Sequence, residues 1–437
     1  MDKPGLTIVS NNQRSWSKFL AEGMCVLTGW RPFINGLRSH YSANDTLPSL
    51  VDDPELPSLK LENYFVNLAL VQQVEQQVNE RNLVDGIVES TISLERGELY
   101  QPLLSGNAYG IDELFPRIDD RVKAAGWACI IGRAGTGKST LIQYIAYRWS
   151  QSEPSWHNRF DFVFQVKLNL MGNADFWDDV RGHEGIDYLA LLIFKSMGNS
   201  NRLSFDAIKV CLHKYPNQLL LLLDGFDEIA ELYSKHHKLT VLIDTALTQF
   251  PNGILTSRPN AIPQKWLNGT DDMPSIFVGN QCFENIGLTE DNVRQYIKTY
   301  FNLVSGNNQN IITVKAGNSL LAALATNPEI MGLAQIPVNT VAMCLGWSSH
   351  EAPSVSNSNC NSNSNEIEEG ENEKKTLAMT ATGLYQQVFL WLVRRYASKY
   401  KGVSHDSIDA VFMESCSVEI NMLSDLAYHA FVQGQTQ

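Results

Sequence analysis

Short apolar runs alternate with longer helical patterns through the middle of the chain. The runs that predict strands are Trp127–Ile131, Phe160–Leu168, Leu219–Leu223, Gly253–Thr256 and Ser275–Val278. Alternation of this kind is typical of a parallel sheet flanked by helices. Leu219–Leu223 is apolar at every position, which predicts a central strand that is covered on both faces.

Helical patterns dominate on both sides of this region. Leu61–Val84 has apolar residues at helical spacing and predicts one amphipathic helix. After residue 287, Thr289 is a candidate N-cap for a helix that buries one apolar face. Later helical segments are expected around Pro328 and Pro337, over Leu384–Tyr396 and over Ile420–Phe431.

These patterns divide the chain into five parts. We expect a mixed, mainly helical region over 1–110, an α/β domain over 111–285 and a helical domain over 286–349. Residues 350–376 are rich in Ser and Asn and then acidic, so they have almost nothing to bury and predict a disordered linker. A second helical region follows over 377–437.

Composition excludes several classes of protein. Of the 437 residues, 44% are hydrophobic and 19% charged, which is ordinary for a globular chain and argues against general disorder. A formal net charge of -13 with no basic stripe disfavours binding to nucleic acid. The cysteines show neither metal-site spacing nor a neighbouring His cluster, so free thiols are expected and zinc is not.

The sequence shows neither a secretory signal pattern nor a run of roughly 20 apolar residues. We therefore expect a cytoplasmic protein with no membrane span.

A glycine-rich string follows the first strand of the central region. Gly132–Ser139 matches G-x-x-x-x-G-K-[ST] at every fixed position. Glycines let such a loop wrap around phosphate groups, while backbone N–H groups and the next helix's start face the negative charge. In this motif Lys138 contacts the β- and γ-phosphates and Ser139 ligates Mg²⁺. The predicted nucleotide-binding residues are Gly132, Arg133, Ala134, Gly135, Thr136, Gly137, Lys138, Ser139 and Thr140.

Three carboxylates follow the most apolar strand. Asp224 ends that strand, and Asp227 and Glu228 come shortly after it. Ligands bind beyond the carboxyl ends of the strands in open α/β sheets, so Asp224 is placed to hold Mg²⁺ through water. Asp227 and Glu228 are candidates to orient or deprotonate an attacking water. The alternative is a solvated acidic turn, which the phosphate-loop motif upstream argues against.

A further strand, Gly253–Thr256, also ends in polar residues. If it lies beside the strand of Asp224, Thr256 and Arg258 reach the same edge of the sheet. Arg258 could then stabilise charge on a γ-phosphate, which makes it a candidate catalytic residue. A surface arginine in a turn is the alternative.

Taken in order, the strings GRAGTGKST, LLLLLDGFDEIAE and ILTSRP resemble the NACHT family of STAND P-loop NTPases. This family includes animal NOD-like receptors and bacterial defence proteins. CFENIGLTEDNVRQYIKTYF is similar to the start of the family's first helical domain, and TATGLYQQVFLWLVRR is similar to the opening of its winged-helix region. NPEIMGLAQIPVNTVAMC resembles a segment whose proline packs near adenine, which implies that Pro337 contacts the base.

The resemblance implies a slow regulatory ATPase that binds ATP or ADP with Mg²⁺. ADP would hold a closed monomer, and exchange for ATP would allow self-association through the NTPase domain in signalling or innate immunity. The trigger and the effector would be proteins that the sequence does not identify. Two features of the family are not matched. Its winged-helix histidine that contacts phosphate is not assigned to His405 or His429. Its usual array of sensor repeats is not found in this sequence, so we expect either a truncated or an unusually short member of the family.

Two other functions stay open from the sequence alone. In one, nucleotide is a structural ligand of an interaction scaffold with negligible hydrolysis. In the other, the chain is a nucleic-acid-acting ATPase of the broader AAA+ group, which the acidic charge disfavours. Residues preceding the α/β domain show no nucleophile, metal or paired-carboxylate constellation and are assigned no activity.

Overall fold

The three-dimensional structure is a computed structural model of the chain. It describes residues 30–47, 59–64, 69–72, 111, 126–151, 160–173, 176–177, 185–198, 203–268, 276–277, 282–305, 311–350, 386, 389–390, 393–394, 396–397, 401 and 409–432. The predicted linker over 350–376 lies outside these residues except for its first position. Two compact units are present, one of Met1–Asn292 with Ile336–Val338 and one of Val293–Gln335 with Asn339–Gln437.

The first unit is built on a six-stranded sheet within the described residues. In chain order its strands are β1 (Ala69–Gln72), β2 (Trp127–Ile131), β3 (Phe162–Lys167), β4 (Leu219–Asp224), β5 (Gly253–Ser257) and β6 (Cys282–Gly287). The spatial order is β1-β6-β2-β5-β4-β3, with β1 antiparallel to β6 and every other pair parallel. The predicted parallel sheet flanked by helices is therefore confirmed, and β4 lies inside the sheet, between β5 and β3, and is buried along its apolar length.

Helices accompany this sheet throughout the first unit. They are α1 (Arg31–Ala43), α2 (Leu61–Tyr64), α3 (Lys138–Ser150), α4 (Ile186–Ser196), α5 (Phe205–Lys214), α6 (Ala230–Lys235), α7 (His237–Gln249) and α8 (Gln264–Asn268). Short 3₁₀ turns occur at Leu168–Gly172, Pro216–Gln218, Phe226–Glu228 and Pro259–Ala261. In α3 the expected apolar face is buried, with Leu141, Ile142, Ile145 and Trp149 each 0% exposed.

Two strand positions differ from the sequence prediction. Leu61–Val84 is not one helix, because α2 covers only Leu61–Tyr64 and Ala69–Gln72 pairs with the edge of β6. The hydrogen bonds of that pairing satisfy backbone groups of β6, and their contribution to stability outweighs the local preference of this segment for a helix. Ile276 and Phe277 form a bend whose two amides donate to the Trp266 carbonyl at 3.0 and 3.3 Å, so the last strand is Cys282–Gly287 instead.

Helix α1 protects the other edge of the sheet, at β3. The Tyr41 hydroxyl donates to the Val163 carbonyl at 3.0 Å and accepts from the Gln165 amide at 2.9 Å. Tyr41 is 3% exposed, and burial raises its pKa above the usual range, so the hydroxyl keeps the proton that it donates. Backbone groups that an edge strand would otherwise present to another chain are thereby satisfied within the fold.

The second unit is helical in its described residues. Its helices are α9 (Glu290–Ser305, which begins in the first unit), α10 (Ile311–Thr326), α11 (Pro328–Ala334), α12 (Pro337–His350, likewise begun in the first unit), α13 (Asp409–Ser415) and α14 (Ser417–Val432). The Thr289 hydroxyl accepts from the Asn292 amide at 3.2 Å, which confirms the predicted N-cap of α9. None of the helices in the described residues has the length and apolar character that crossing a bilayer requires.

We predict that Tyr41→Phe lowers the free energy of unfolding of the sheet unit by about 1–3 kcal/mol, because the buried Val163 carbonyl and the partly buried Gln165 amide lose the hydroxyl that pairs with them. Urea unfolding followed by tryptophan fluorescence measures this. Tyr188→Phe, in α4, is the matched control and should change the free energy by less than about 0.5 kcal/mol. Equal stabilities for the Tyr41 variant and the control would contradict this role for the hydroxyl.

Candidate functional site

The glycine-rich loop joins the end of β2 to the start of α3. Gly135 and Gly137 adopt φ angles of 76° and 88°, which residues with a side chain rarely adopt. The Gly132 amide donates to the Ser257 carbonyl at 3.1 Å, so the start of the loop is tied to the end of β5. The loop thus ends at the N-terminus of a 13-residue helix, where free amides and the helix dipole favour an anion.

Side chains within the loop bond to its own backbone. The Thr136 hydroxyl donates to the Arg133 carbonyl at 2.9 Å. The Lys138 ammonium group donates to the carbonyls of Gly132 at 2.6 Å and Arg133 at 2.9 Å. Arg133, Ala134, Gly135 and Ser139 are exposed, whereas Thr136 is 1% exposed. The loop therefore has a buried floor and an open outer side.

Asp224 is held by the neighbouring strand. The Thr256 hydroxyl donates to Asp224 Oδ1 at 2.6 Å and accepts from the Gly225 amide at 2.9 Å. Thr256 is 0% exposed, so both hydrogen bonds form away from bulk water. The parallel pairing of β4 with β5 creates this contact, as the sequence predicted for these two strand ends.

Two further carboxylates and an arginine lie beyond these strands. Arg258 Nε lies 2.9 Å from Asp227 Oδ2, in an ion pair whose carboxylate side is mostly buried. The exposed Glu228 folds back over Gly225, since a Cβ added at that glycine would lie 3.0 Å from Glu228 Oε1. Gly225 itself has a φ angle of 79°, which gives the sharp turn between the strand and the 3₁₀ turn of Phe226–Glu228.

Lys138 and the polar residues after β4 and β5 share one edge of the sheet. Partial burial lowers the pKa of Lys138. The charge of Arg258 lowers it further, while Asp227, Asp224 and Glu228 act in the opposite direction. The charges of the candidate catalytic residues Asp227, Glu228 and Arg258 and of the candidate Mg²⁺ ligand Asp224 therefore all act on Lys138.

Pro337 begins α12 beside the loop. The Val338 amide donates to the Gly135 carbonyl at 3.4 Å, and a Cβ added at Gly135 would lie 2.5 Å from Val338 Cγ1. Ile336–Val338 therefore belongs to the same compact unit as the loop. A side chain at Gly135 would meet both an unfavourable φ angle and a steric clash.

Asn285 in β6 is a site residue that sequence reasoning missed. Its side-chain amide donates to the Thr136 carbonyl at 2.9 Å. The signal was a polar residue between Phe283 and Ile286 in a segment that we did not predict as a strand.

Comparison with known proteins agrees with this geometry. The family model of the NACHT domain matches residues 127–303. Nucleotide-binding oligomerization domain-containing protein 2 of Bos taurus is 26% identical over 186 residues, which cover 39% of this chain and 17% of that protein. Baculoviral IAP repeat-containing protein 1g of Mus musculus is 20% identical over 266 residues, or 61% of this chain and 16% of that protein. The chain thus spans less than a fifth of the length of these curated relatives.

A solved structure was also matched. The ORC2 protein of Aeropyrum pernix, in its ADPNP–ADP complexes, is 15% identical and aligns over 69% of this chain and 82% of that one, with a TM-score of 0.24. A TM-score this low supports no inference about the present chain.

We predict that Thr256→Val lowers the free energy of unfolding by about 1–3 kcal/mol, because the Gly225 amide and the Asp224 carboxylate both lose a buried partner. Thr256→Ser, which keeps the hydroxyl, should recover most of this difference. Thr248→Val on the exposed side of α7 is the control and should be nearly neutral. If the valine and serine variants of Thr256 unfold at the same denaturant concentration, the hydroxyl does not hold this edge of the sheet.

Proposed function

We propose that this chain, whose residues 127–303 are a P-loop NTPase domain of the NACHT type, is an ATP-binding and ATP-hydrolysing switch. Nucleotide exchange is coupled to conformational change and to self-association through the NTPase domain. The observation that carries the proposal is the parallel pairing of β5 with β2 and with β4, which brings the loop of Lys138, the Asp224 carboxylate and the Asp227–Arg258 ion pair to the same end of the sheet.

The loop supplies the phosphate contacts. Backbone amides of the loop after Gly132, up to the first turn of α3, face the β-phosphate, and the start of α3 adds its dipole. Lys138 exchanges its bonds to the Gly132 and Arg133 carbonyls for bonds to the β- and γ-phosphates. Those carbonyls hold the ammonium group at the loop before nucleotide arrives, so little side-chain entropy is lost on binding.

Oxygen atoms at this edge suit Mg²⁺. Ser139 offers an exposed hydroxyl, and Asp224 offers a carboxylate whose Oδ1 is already fixed by Thr256. Among the residues that the structure describes, no group of three or more His, Cys, Asp or Glu side chains could hold a metal ion. The remaining ligands would therefore be water and phosphate oxygens, which Mg²⁺ commonly keeps. When bound, the cation neutralises charge on the β- and γ-phosphates.

Hydrolysis requires a carboxylate near the γ-phosphate. Asp227 is paired with Arg258, whereas Glu228 is exposed at the same turn, so Glu228 orients and deprotonates the attacking water. Arg258 is half exposed and turns from Asp227 towards the γ-phosphate, where it stabilises the charge of the transition state. Asp227 holds Arg258 in position between turnovers.

Switching follows from the different affinities of two conformations for ADP and ATP. The γ-phosphate competes with Asp227 for Arg258, and Pro337 contacts adenine from the segment that lies on the loop. Only the contact with the γ-phosphate differs between ATP and ADP, so the position of Arg258 depends on which nucleotide is bound, whereas the adenine that Pro337 contacts is common to both. We place the protein in cytoplasmic signalling or defence, with a protein trigger.

An interaction scaffold without hydrolysis is the second candidate function. It is favoured by the Asp227–Arg258 ion pair, which bound ADP would leave intact.

We predict that Lys138→Ala weakens ATP and ADP binding by about 100-fold or more, because charge-assisted bonds to two phosphates are lost. Isothermal titration calorimetry measures the affinity. Lys235→Ala is the control. It removes an exposed lysine that forms an ion pair with Glu231, and this variant should bind nucleotide as tightly as the unmodified chain. Unchanged affinity in the Lys138 variant would rule out the loop as the phosphate site.

We predict that Glu228→Gln retains ATP affinity and lowers the single-turnover hydrolysis rate by about 10²–10⁴-fold, because the base that activates water is lost. Glu231→Gln removes an exposed carboxylate one residue into α6 and serves as the matched control with an unchanged rate. Release of ADP in a rapid-quench experiment measures the rate. Negligible ADP release by the unmodified chain would support the scaffold instead.

A further inference from the structure

Asn285 is a buried polar residue in β6, beside Glu284. It is 1% exposed and lies on β6, next to β2 and its loop. Removing an amide group from water costs free energy unless its donor and acceptor both find partners. Its position therefore requires a specific set of hydrogen bonds.

Both ends of this side chain are bonded, and the bonds fix its orientation. Nδ2 donates to the Thr136 carbonyl at 2.9 Å, and Oδ1 accepts from the Gly287 amide at 3.0 Å. A carbonyl can only accept and a backbone amide can only donate, so the amide group cannot be rotated by 180° without losing both bonds. Nδ2 is thus directed at the loop.

The backbone of Asn285 also supports the floor of the loop. A Cβ added at Gly132 would lie 3.0 Å from the Asn285 carbonyl oxygen and 3.3 Å from Asn285 Cβ. The first residue of the loop therefore packs directly on β6, and the Asn285 side chain reaches past it to Thr136. Strand and loop are held at two separate points.

The bond to Thr136 controls the direction of the next amide. No described peptide bond is cis, and in a trans peptide the C=O and N–H groups point in opposite directions. With the Thr136 carbonyl directed at the Asn285 amide, the Gly137 N–H of the same peptide is directed away from that amide. This peptide immediately precedes α3, and the φ angle of 88° at Gly137 would tolerate other orientations if nothing held the carbonyl.

We propose that Asn285 is a positioning residue for nucleotide binding, which holds the Thr136–Gly137 peptide so that the Gly137 N–H faces the β-phosphate. The inference rests on the proposed function, since it assumes that the loop binds phosphate. Asn285 does not touch the nucleotide in this account. It acts by preventing the peptide from turning its carbonyl, which would repel phosphate, into the site.

Asn285→Leu tests the proposal, with Asn252→Leu as the matched control. Asn252 is likewise buried, being 4% exposed. Its amide donates to the carbonyls of Asn217 and Leu219 at the start of β4, which is the end of the sheet away from the loop. Both variants lose buried hydrogen bonds and should be destabilised. Only the Asn285 variant should lose affinity for ADP, by about tenfold or more in calorimetry on folded protein.

Asn285→Asp provides a second test, the pH dependence of ADP affinity, which a purely structural role of Asn285 would not affect. The introduced carboxyl group donates to the Thr136 carbonyl when protonated and repels it when ionised. The ratio of its Kd for ADP to that of the unmodified chain should therefore fall as the pH is lowered from about 8 to about 5.5. Lys138, Cys282, Glu284 and the nucleotide phosphates are present in both proteins, so their contributions largely cancel in this ratio.

The outcomes separate the two proposals. A folded Asn285→Leu variant with unchanged ADP affinity, or a Kd ratio for Asn285→Asp that is independent of pH, would overturn the role of Asn285 alone. If the leucine variant does not fold, the pH dependence of the aspartate variant decides. Absence of ADP binding by the unmodified chain would overturn the proposed function, and this inference with it.

Discussion

Parallel pairing of β2, β5 and β4 is the constraint on which the site depends. Trp127 pairs with Gly253 and Ile131 with Ser257, while Leu223 pairs with Leu255. This register makes the three strands end together, so the residues that follow each of them meet at one edge. The phosphate loop, the Asp224 carboxylate and Arg258 are far apart in the sequence, and only the register of the sheet makes them neighbours. A shift of one strand by a single residue would separate them.

Buried hydroxyl and amide groups hold this edge in place. Thr256 links Asp224 and Gly225, and Asn285 links the loop to β6. Each side chain is fully bonded in an interior of low dielectric, where hydrogen bonds are strong and an unpaired polar group is costly. The half-buried Lys138 and the exposed Ser139 and Glu228 can then change partners while the floor of the site stays fixed. Rigid support beneath exchangeable contacts suits the exchange of ADP for ATP that we propose.

Much of the sheet could be predicted from the sequence because its central strands are almost wholly apolar. Leu219–Asp224 and Trp127–Ile131 fall where the pattern placed them, and the motif after β2 identified the loop. Both outer strands beyond β2 were missed. Ala69–Gln72 has a pattern compatible with a helix and becomes a strand only through pairing with β6, and Cys282–Gly287 carries Glu284 and Asn285 in its middle. Periodicity cannot reveal a partner strand more than 200 residues away, as the pairing of Leu70 with Asn285 illustrates.

The same limit applies to the supporting residues of the site. Residues that contact a ligand directly belong to short motifs with fixed spacing, and these can be recognised in one sequence. Residues that support them, such as Asn285 beneath Thr136, are related by the fold alone and have no local signature. The Ile336–Val338 segment is another example, because only tertiary structure brings it to Gly135.

The most direct measurement is the identity of the nucleotide that copurifies with the chain, released by denaturation and separated by chromatography. We expect an adenine nucleotide in an amount close to one per chain, chiefly ADP. A guanine nucleotide would contradict the assignment of ATP. No nucleotide in the purified protein, together with no uptake of added Mg-ATP, would contradict the existence of the site.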